Sequence, residues 1–500
     1  ACVNDFNTIS PRKESFVYSI IPLYLIIIND NDFGNKFKNY KGKLTSYVKH
    51  RKRGEIMESI KDSTCNKNNL GNGEDLLKKM KIYIFSLIGI IIFFVPIKIN
   101  NQTETLLYHI SYFLENKASI LINLSILFFI LLSALKNIIN VNKSSINKFL
   151  VFTKIFSLII LVFISVGKGE IFFIDDSFIF ILKDLILNLT IVLPMASLFM
   201  PFLLDYGLVE ITEAFTHKVM KKLFRVSGKV FLNFLVYFLV DNVCGAFVTY
   251  SLYKAGKLRE RECAITILNF SVLSLSLTSD LCNKIDINMG KFLIIEMLVL
   301  IICNVIISRV YPLKRKKQSY YFKSSHKNVN CKKHKLNTAV KKYYENKTSK
   351  KFINLSLSYL NDVIYILMDL LPIIITIFFV GNIVYNITFV MDIINNFICI
   401  IITKLNVPNS ILISKIVNLN FFNNILAIEI INNNTYYLSR IMIGLFISIQ
   451  CISISFLIPF IKTSIIDLNI FEIFLVAIER FLIMIFIFFI FYNFYLGYVL

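Results

Sequence analysis

Asp241 and Asn242 sit near the middle of the 20-residue apolar run Phe234 to Tyr253, FLVYFLVDNVCGAFVTYSLY. Twenty residues at about 1.5 Å each match the thickness of a bilayer core, where an unpaired carboxylate is costly. Lys and Arg crowd both flanks: Lys221, Lys222, Arg225 and Lys229 before, Lys254, Lys257, Arg259 and Arg261 after. Positive charge at both ends conflicts with a single crossing. A re-entrant hairpin removes the conflict, with half-helices Val230–Val240 and Val243–Tyr253 breaking at Asp241-Asn242 and returning to one side. The alternative is one continuous helix with Asp241 turned into the bundle.

A second constellation lies about 180 residues on, with its features in the same order. LPMASLFMPFLLDYG from Leu193 pairs with LPIIITIFFVGNIVY from Leu371, and KLFRVSGKV from Lys222 with KLNVPNSIL from Lys404. LVDNVCGAF from Leu239 pairs with FFNNILAIE from Phe421, and FSVLSLSL from Phe270 with ISIQCISISF from Ile447. Residues 411–438 then form a second hairpin, with Asn423-Asn424 at its tip and Glu429 in the returning arm. Opposed half-helix ends meeting at the midplane would expose backbone donors and acceptors to a polar solute or cation. Asn242, Asn423 and Asn424 each offer a donor and an acceptor, suited to a nucleobase edge or sugar hydroxyls. Asp241 and Glu429 can take a hydroxyl, a proton or a coupling Na⁺. Ser274, Ser276, Ser453 and Ser455 stand at matching places on the spans that follow. For these serines, bonding back to the preceding turn is the competing reading. Glu296 and the adjacent Glu479-Arg480 are further charges within spans, expected to pair between helices. Pro194, Pro201 and Pro372 should kink the leading spans.

The elements that hold these residues follow from composition. The 500 residues are 56% hydrophobic, with a mean hydropathy of +0.66. The fold class is therefore all-α, a polytopic helical membrane protein. Apolar windows mark nine crossings, near 82–98, 118–135, 149–167, 183–204, 263–280, 291–308, 362–385, 441–461 and 470–498. Two re-entrant hairpins in an inverted repeat complete the expected architecture. A basic flank at Lys78, Lys79 and Lys81 puts the N-terminus in the cytoplasm, and Glu170, Asp175 and Asp176 then fall outside. Leu208, Ile211, Phe215, Val219 and Leu223 form one stripe of a helix expected along the cytoplasmic interface. Inversion agrees with charge, since residues 205–261 hold nine Lys or Arg and residues 386–440 three.

Residues 313–352 carry fourteen Lys or Arg against one acid, Glu345. Between apolar spans this basic run, a large part of the +22 net charge, reads as a cytoplasmic loop and not as a nucleic-acid site. His326, Cys331 and His334 lack a fourth ligand, and the nine scattered cysteines form no paired metal-ligand pattern, so no metal site is expected. No HExxH, GxGD or intramembrane Ser-His pair points to an enzyme. Domain boundaries follow: 1–79 polar and basic, 80–176 a three-helix membrane region, 177–312 a first gate repeat, 313–352 the loop, 353–500 a second, inverted gate repeat. KRGEI just before Met57 reads like a translated ribosome-binding sequence, so translation is expected to start at Met57 or Met80.

MKIYIFSLIGIIIFFVPI from Met80, LLDYGLVEITEAFTHKVMKKLFRVSGK from Leu203, LYKAGKLREREC from Leu252, FSVLSLSL from Phe270 and AIERF from Ala477 together resemble the YjiH-type membrane proteins that bear a nucleoside-recognition GATE domain. The resemblance runs over about residues 80–490 and is most specific from 185 to 280. It implies a multi-pass inner-membrane protein that moves a small polar solute such as a nucleoside. Its gate module would be related to those of concentrative nucleoside transporters, ferrous-iron transporters and spore-maturation membrane proteins. No P-loop accompanies it, against nucleotide-driven iron transport. No cofactor is expected beyond a coupling Na⁺ or H⁺. A non-transporting protein of the spore-maturation kind, with an assembly or signalling role, is the alternative.

Overall fold

Pro96 ends the first membrane helix. The computed structural model describes residues 72–99, 102–117, 128, 148–165, 176–321, 351–386, 388–404, 409–422, 424–429, 431, 437–449 and 454–499. The chain divides into two compact units, Ala1–Leu77 and Lys78–Leu500. Of the first, only residues 72–77 are described, so the expected start at Met57 lies outside the described residues, and the alternative, Met80, lies within the first helix.

Helix α1 (Asn72–Phe94) stops before Pro96, which has no amide hydrogen to continue it. The expected span 82–98 is therefore cut short, and Pro96–Ile99 (β1) pairs antiparallel with Gln102–Thr105 (β2), Pro96 opposite Thr105. The fold is otherwise helical. The expected span 118–135 lies outside the described residues except Phe128. The next is α2 (Lys148–Ser165).

From there the chain runs twice through one order of elements. First come α3 (Asp176–Leu204, containing Pro194 and Pro201), α4 (Leu208–Leu223), α5 (Val230–Leu239), α6 (Asn242–Lys254), α7 (Glu260–Asn269), α8 (Leu275–Lys284) and α9 (Met289–Ile307). Then follow α10 (Phe352–Asn386, containing Pro372), α11 (Thr388–Thr403), α12 (Ser410–Phe422), α13 (Asn424–Glu429), α14 (Tyr437–Ile449), α15 (Ile454–Thr463) and α16 (Ile470–Val499). Each series has a long Pro-containing helix, a 16-residue helix, two packed pieces, two shorter helices and a long apolar helix. Equivalent elements meet, α3 against α10 and α9 against α16.

Among the described residues three stretches are long and apolar enough to cross a membrane as single helices: Met289–Ile307, Phe352–Ile383 and Ile470–Phe491. A fourth, Leu189–Leu204 with Leu208–Leu223, bends by 68°. Gly207 makes that bend with φ 99°, a left-handed conformation that glycine adopts without steric cost. Beyond the bend, Phe215 and Val219 are exposed on α4, as an apolar stripe on a helix lying in a membrane surface would be. The expected span 263–280 is not continuous: it is two short helices, α7 and α8, whose link 270–274 is not helical. Within 441–461 the structure describes α14 as far as Ile449 and α15 from Ile454. The Ser-rich run 263–280 carries no Gly or Pro to announce its break.

Polar contacts gather at two ends. Lys254 meets Asp362 (2.6 Å), Lys316 meets Glu472 (2.8 Å) and the Tyr359 hydroxyl donates to Asp205 (2.8 Å). Arg309 of the same end donates to the carbonyl of Leu223 at 2.6 Å. Across the length of α9, about 28 Å, Arg440 meets Asp286 at 3.3 Å.

Candidate functional site

The Asp241-Asn242 break is a chain reversal. Asp241 is extended and caps α6, its carboxylate accepting from Asn242 N at 2.6 Å. Helices α5 and α6 then pack side by side. Asn233 Nδ2 donates to Thr249 Oγ1 at 3.1 Å, and both side chains are fully buried. Gly245 lies against the Tyr237 ring so closely that a Cβ would stand 2.5 Å from it. At the base, Lys229 Nζ donates to the carbonyl of Lys257 at 3.3 Å. A continuous helix over those 28 residues would part them by about 42 Å. The single-helix alternative therefore fails. Glu262, whose carboxylate caps α7 through Arg259 N (3.0 Å), also accepts from Ser227 N (2.8 Å), tying the hairpin base to the helix that follows.

In the second series α12 and α13 pack together. Asn423 itself and Ser453 lie outside the described residues. Asn424 begins α13 and is buried, Glu429 is the last residue of that helix and Ser455 the second of α15. The returning arm is six residues long, shorter than its counterpart α6. Asn420 Nδ2 donates to the Phe446 carbonyl at 3.0 Å, fixing α12 to α14.

The link after α7 meets the end of α14. Leu273 N, in the link after α7, donates to the Ser448 carbonyl near the end of α14 at 2.9 Å. Arg480 of α16, fully buried, closes the crossing. Its guanidinium donates to the carbonyls of Asn269 (2.6 Å), Ile449 (2.8 Å) and Ser271 (3.2 Å), and to Asn304 Oδ1 of α9 (3.3 Å). A helix C-terminus carries about half a negative charge. Two of them, from α7 and α14, converge on one cation, which accounts for a charge so deep in an apolar bundle. Among the described residues no ion pair links Glu296 or Glu479 to Arg480, so the expected pairing between helices is replaced by carbonyl ligation. Sequence alone marked Arg480 as buried charge. Its acceptors are backbone atoms and leave no signature.

A cavity of about 10 Å³ adjoins the crossing, room for about one water. Tyr237, Asn242 and Ala246 of the first hairpin, Ile267 and Ser271 of the first interrupted helix, and Phe456 and Leu457 of the second line it. Asn242 thus stands where the hairpin tip meets both broken helices. Ser274 is buried at the start of α8, its carbonyl accepting from Thr278 N at 2.8 Å. Ser276 points elsewhere, donating to Glu104 of β2. Burial pushes the Glu104 carboxyl above the ordinary range, the Ser276 hydrogen bond opposes this, and Asp280 adds to the rise. Glu104 was not singled out by sequence, since nothing local to the strand says that it meets a residue 172 positions later. Among the described residues no cluster of His, Cys, Asp or Glu could hold a metal ion.

Comparison with known proteins converges on this region. Residues 186–282, from within α3 to within α8, match the family described as Gate, nucleoside recognition, a family of transporter type. Over 143 residues the chain is 30% identical to an uncharacterized protein of Alkalihalophilus pseudofirmus, a stretch covering 28% of this chain and 31% of that relative. The match thus spans less than a third of the relative's length. No solved structure matches. The chain is thus a helical membrane protein with a nucleoside-recognition Gate match over residues 186–282.

Proposed function

We propose that the protein is a secondary transporter of nucleosides or a similar small polar solute, gated by two hairpins around the crossing. The observation that carries this reading is the convergence of a hairpin tip, Asn242, with two broken helices held by Arg480. Broken helices at membrane depth are tolerated where they are buried in protein or line a site, and there their ends supply donors and acceptors to a solute. A cavity of about 10 Å³ is far too small for a nucleoside. Loading requires the hairpin tip to part from Ser271 and Leu457, so the hairpin is the gate.

In this reading residues 177–312 and 353–500 are two gate repeats of inverted topology behind a three-helix region, 80–176. The basic end, with Lys254, Lys257, Arg259, Arg261 and residues 313–352, faces the cytoplasm of the cell that holds the protein in its inner membrane. Asp241 caps the tip helix, and Asn242 and the second tip, Asn423-Asn424, supply amides to the solute. Glu429, Ser274, Ser453 and Ser455 stand around them. The YjiH-type resemblance belongs to the same reading.

The test is uptake of radiolabelled nucleosides into proteoliposomes, with and without Na⁺ or H⁺ gradients. Uptake that collapses in Asn242→Ala and follows one gradient is expected. Folded protein that moves no nucleoside under any gradient would transfer the reading to a non-transporting role in assembly or signalling.

A further inference from the structure

The C-terminal end of α4 gathers cations from three elements. Arg309, just after α9, gives both terminal nitrogens to that end, Nη1 to the Leu223 carbonyl (2.6 Å) and Nη2 to the Lys222 carbonyl (2.9 Å). Arg261, at the start of α7, reaches the same corner and donates to the carbonyls of Leu313 (3.1 Å) and Ser308 (3.4 Å), the latter next in sequence to Arg309. Arg225 lies close enough to Arg261 for the two charges to oppose each other. With Lys222 they make four positive charges at one corner. Helix-end carbonyls offset part of the charge on Arg261 and Arg309, but among the described residues no carboxylate forms an ion pair with any of the four. The nearby acids are engaged elsewhere. Glu262, which Arg261 feels, accepts from Ser227 N and Arg259 N. Glu210 meets Lys257 at 3.5 Å, and Glu260 accepts from the Ser319 hydroxyl at 3.0 Å. Glu213, the other acid of α4, lies about 13 Å back along the helix from Lys222.

Arg225 is exposed and left-handed, with φ 58°. Any residue with a Cβ is strained there, whereas glycine is not. Among the described residues no acceptor takes its guanidinium, so nothing within the fold accounts for an arginine at that place. The neighbouring surface is apolar. Helix α4 turns off α3 by 68°, and its Phe215 and Val219 are 54% and 55% exposed. Lys222 follows Phe215 by seven residues, which puts it within about 20° of the same direction around the helix. Apolar side chains with a cation beside them match acyl chains under a headgroup. A nucleic acid would satisfy the charges but leave Phe215 and Val219 uncovered.

We propose that this corner binds the headgroup of an anionic phospholipid, with Arg225 and Lys222 on the phosphate oxygens, Arg261 and Arg309 adding charge behind them, and the acyl chains along Phe215 and Val219. The bound lipid braces the first hairpin, because α4 carries its base. The Thr216 hydroxyl donates to the Gly228 carbonyl at 3.0 Å, and a Cβ on Gly228 would stand 2.7 Å from the Glu213 carbonyl oxygen. Lipid binding of this kind needs no solute and holds whether or not the protein moves a nucleoside.

The chain contains no Trp, so Phe215→Trp places a single fluorophore at the corner of the full-length protein. In phosphatidylcholine vesicles, a minor fraction of brominated phosphatidylglycerol should quench it several-fold more than the same fraction of brominated phosphatidylcholine. With Lys222→Gln and Arg225→Gly added, the two lipids should quench equally. Arg225→Gly alone relieves the left-handed strain and should melt no lower than the wild type, which separates lost binding from lost folding. Unbrominated phosphatidylglycerol should raise the melting temperature of the wild type and leave that of K222Q/R225G where it was. If F215W does not fold, Val219→Trp carries the same reporter. Equal quenching by the two lipids in the reporter protein, or a preference that survives in K222Q/R225G, would overturn the inference. So would loss of the preference to inorganic phosphate but not to chloride of matched ionic strength, which would make the occupant a free anion.

Discussion

Replacing Arg480 with Met keeps a long, unbranched side chain but removes every guanidinium donor from the crossing. The two closest acceptors, Asn269 O at 2.6 Å and Ile449 O at 2.8 Å, would be left buried without that partner. Stranding a buried acceptor costs about 1–3 kcal/mol, so the two together cost about 2–6 kcal/mol. Removing a buried charge recovers part of this by avoiding its desolvation, which leaves a net loss of about 2–4 kcal/mol. At about 1.4 kcal/mol per tenfold, the folded population relative to the unfolded falls by about 30- to 1,000-fold. Arg480→Lys keeps the charge without the planar fork, and as a point charge it should restore about half of the loss. Cys244, Cys263, Cys282 and Cys303 are buried free thiols, so a thiol-reactive fluorogenic dye in detergent reports unfolding directly. The expected order of melting is wild type, then R480K, then R480M. If R480M melts with the wild type, the carbonyl cradle does not hold the crossing. If R480K equals the wild type, charge alone suffices and the fork argument is wrong.

Gly245→Ala places a methyl about 2.5 Å from the Tyr237 ring and should cost about 1–3 kcal/mol by overpacking; unchanged melting would contradict the close approach of α5 and α6. In a cysteine-free background, Lys229→Cys with Lys257→Cys should join through a short bismaleimide, because Nζ and O of the native pair lie 3.3 Å apart. Failure to cross-link while each single cysteine is modified would restore the continuous helix. Burial raises the Glu104 carboxyl, so docking of the β1–β2 hairpin is strongest below the ordinary carboxyl range and weakens as pH rises through the raised value. Hydrogen exchange across 96–105, corrected for its intrinsic rate, should therefore slow on acidification, and Glu104→Gln should flatten the dependence. Faster exchange in acid would refute the sign.

The hairpin around Asp241 was readable because the bilayer constrains sequence so strongly. A charge at the centre of a 20-residue apolar run, with like-signed flanks, leaves few arrangements that satisfy the backbone. The same constraint exposed the bend after α3, the interfacial stripe of α4 and the repeated order of features. The break at 270–274 escaped, since Phe270-Ser271-Val272-Leu273 is apolar enough to pass for helix. No local residue demands the interruption.

Sequence alone thus determined that the chain is a helical membrane protein, where its first hairpin turns and which buried charges require an explanation. Those are consequences of solvent: each residue must suit water or lipid whatever its distant neighbours are. The tertiary structure alone decided that Arg480 satisfies the carbonyls of Asn269, Ser271 and Ile449, that Leu273 meets Ser448, that Ser276 answers to Glu104 and that Glu296 has no ion-pair partner among the described residues. Those contacts join residues 172 to 211 positions apart or run through backbone atoms identical in every residue, so no periodicity or spacing could encode them.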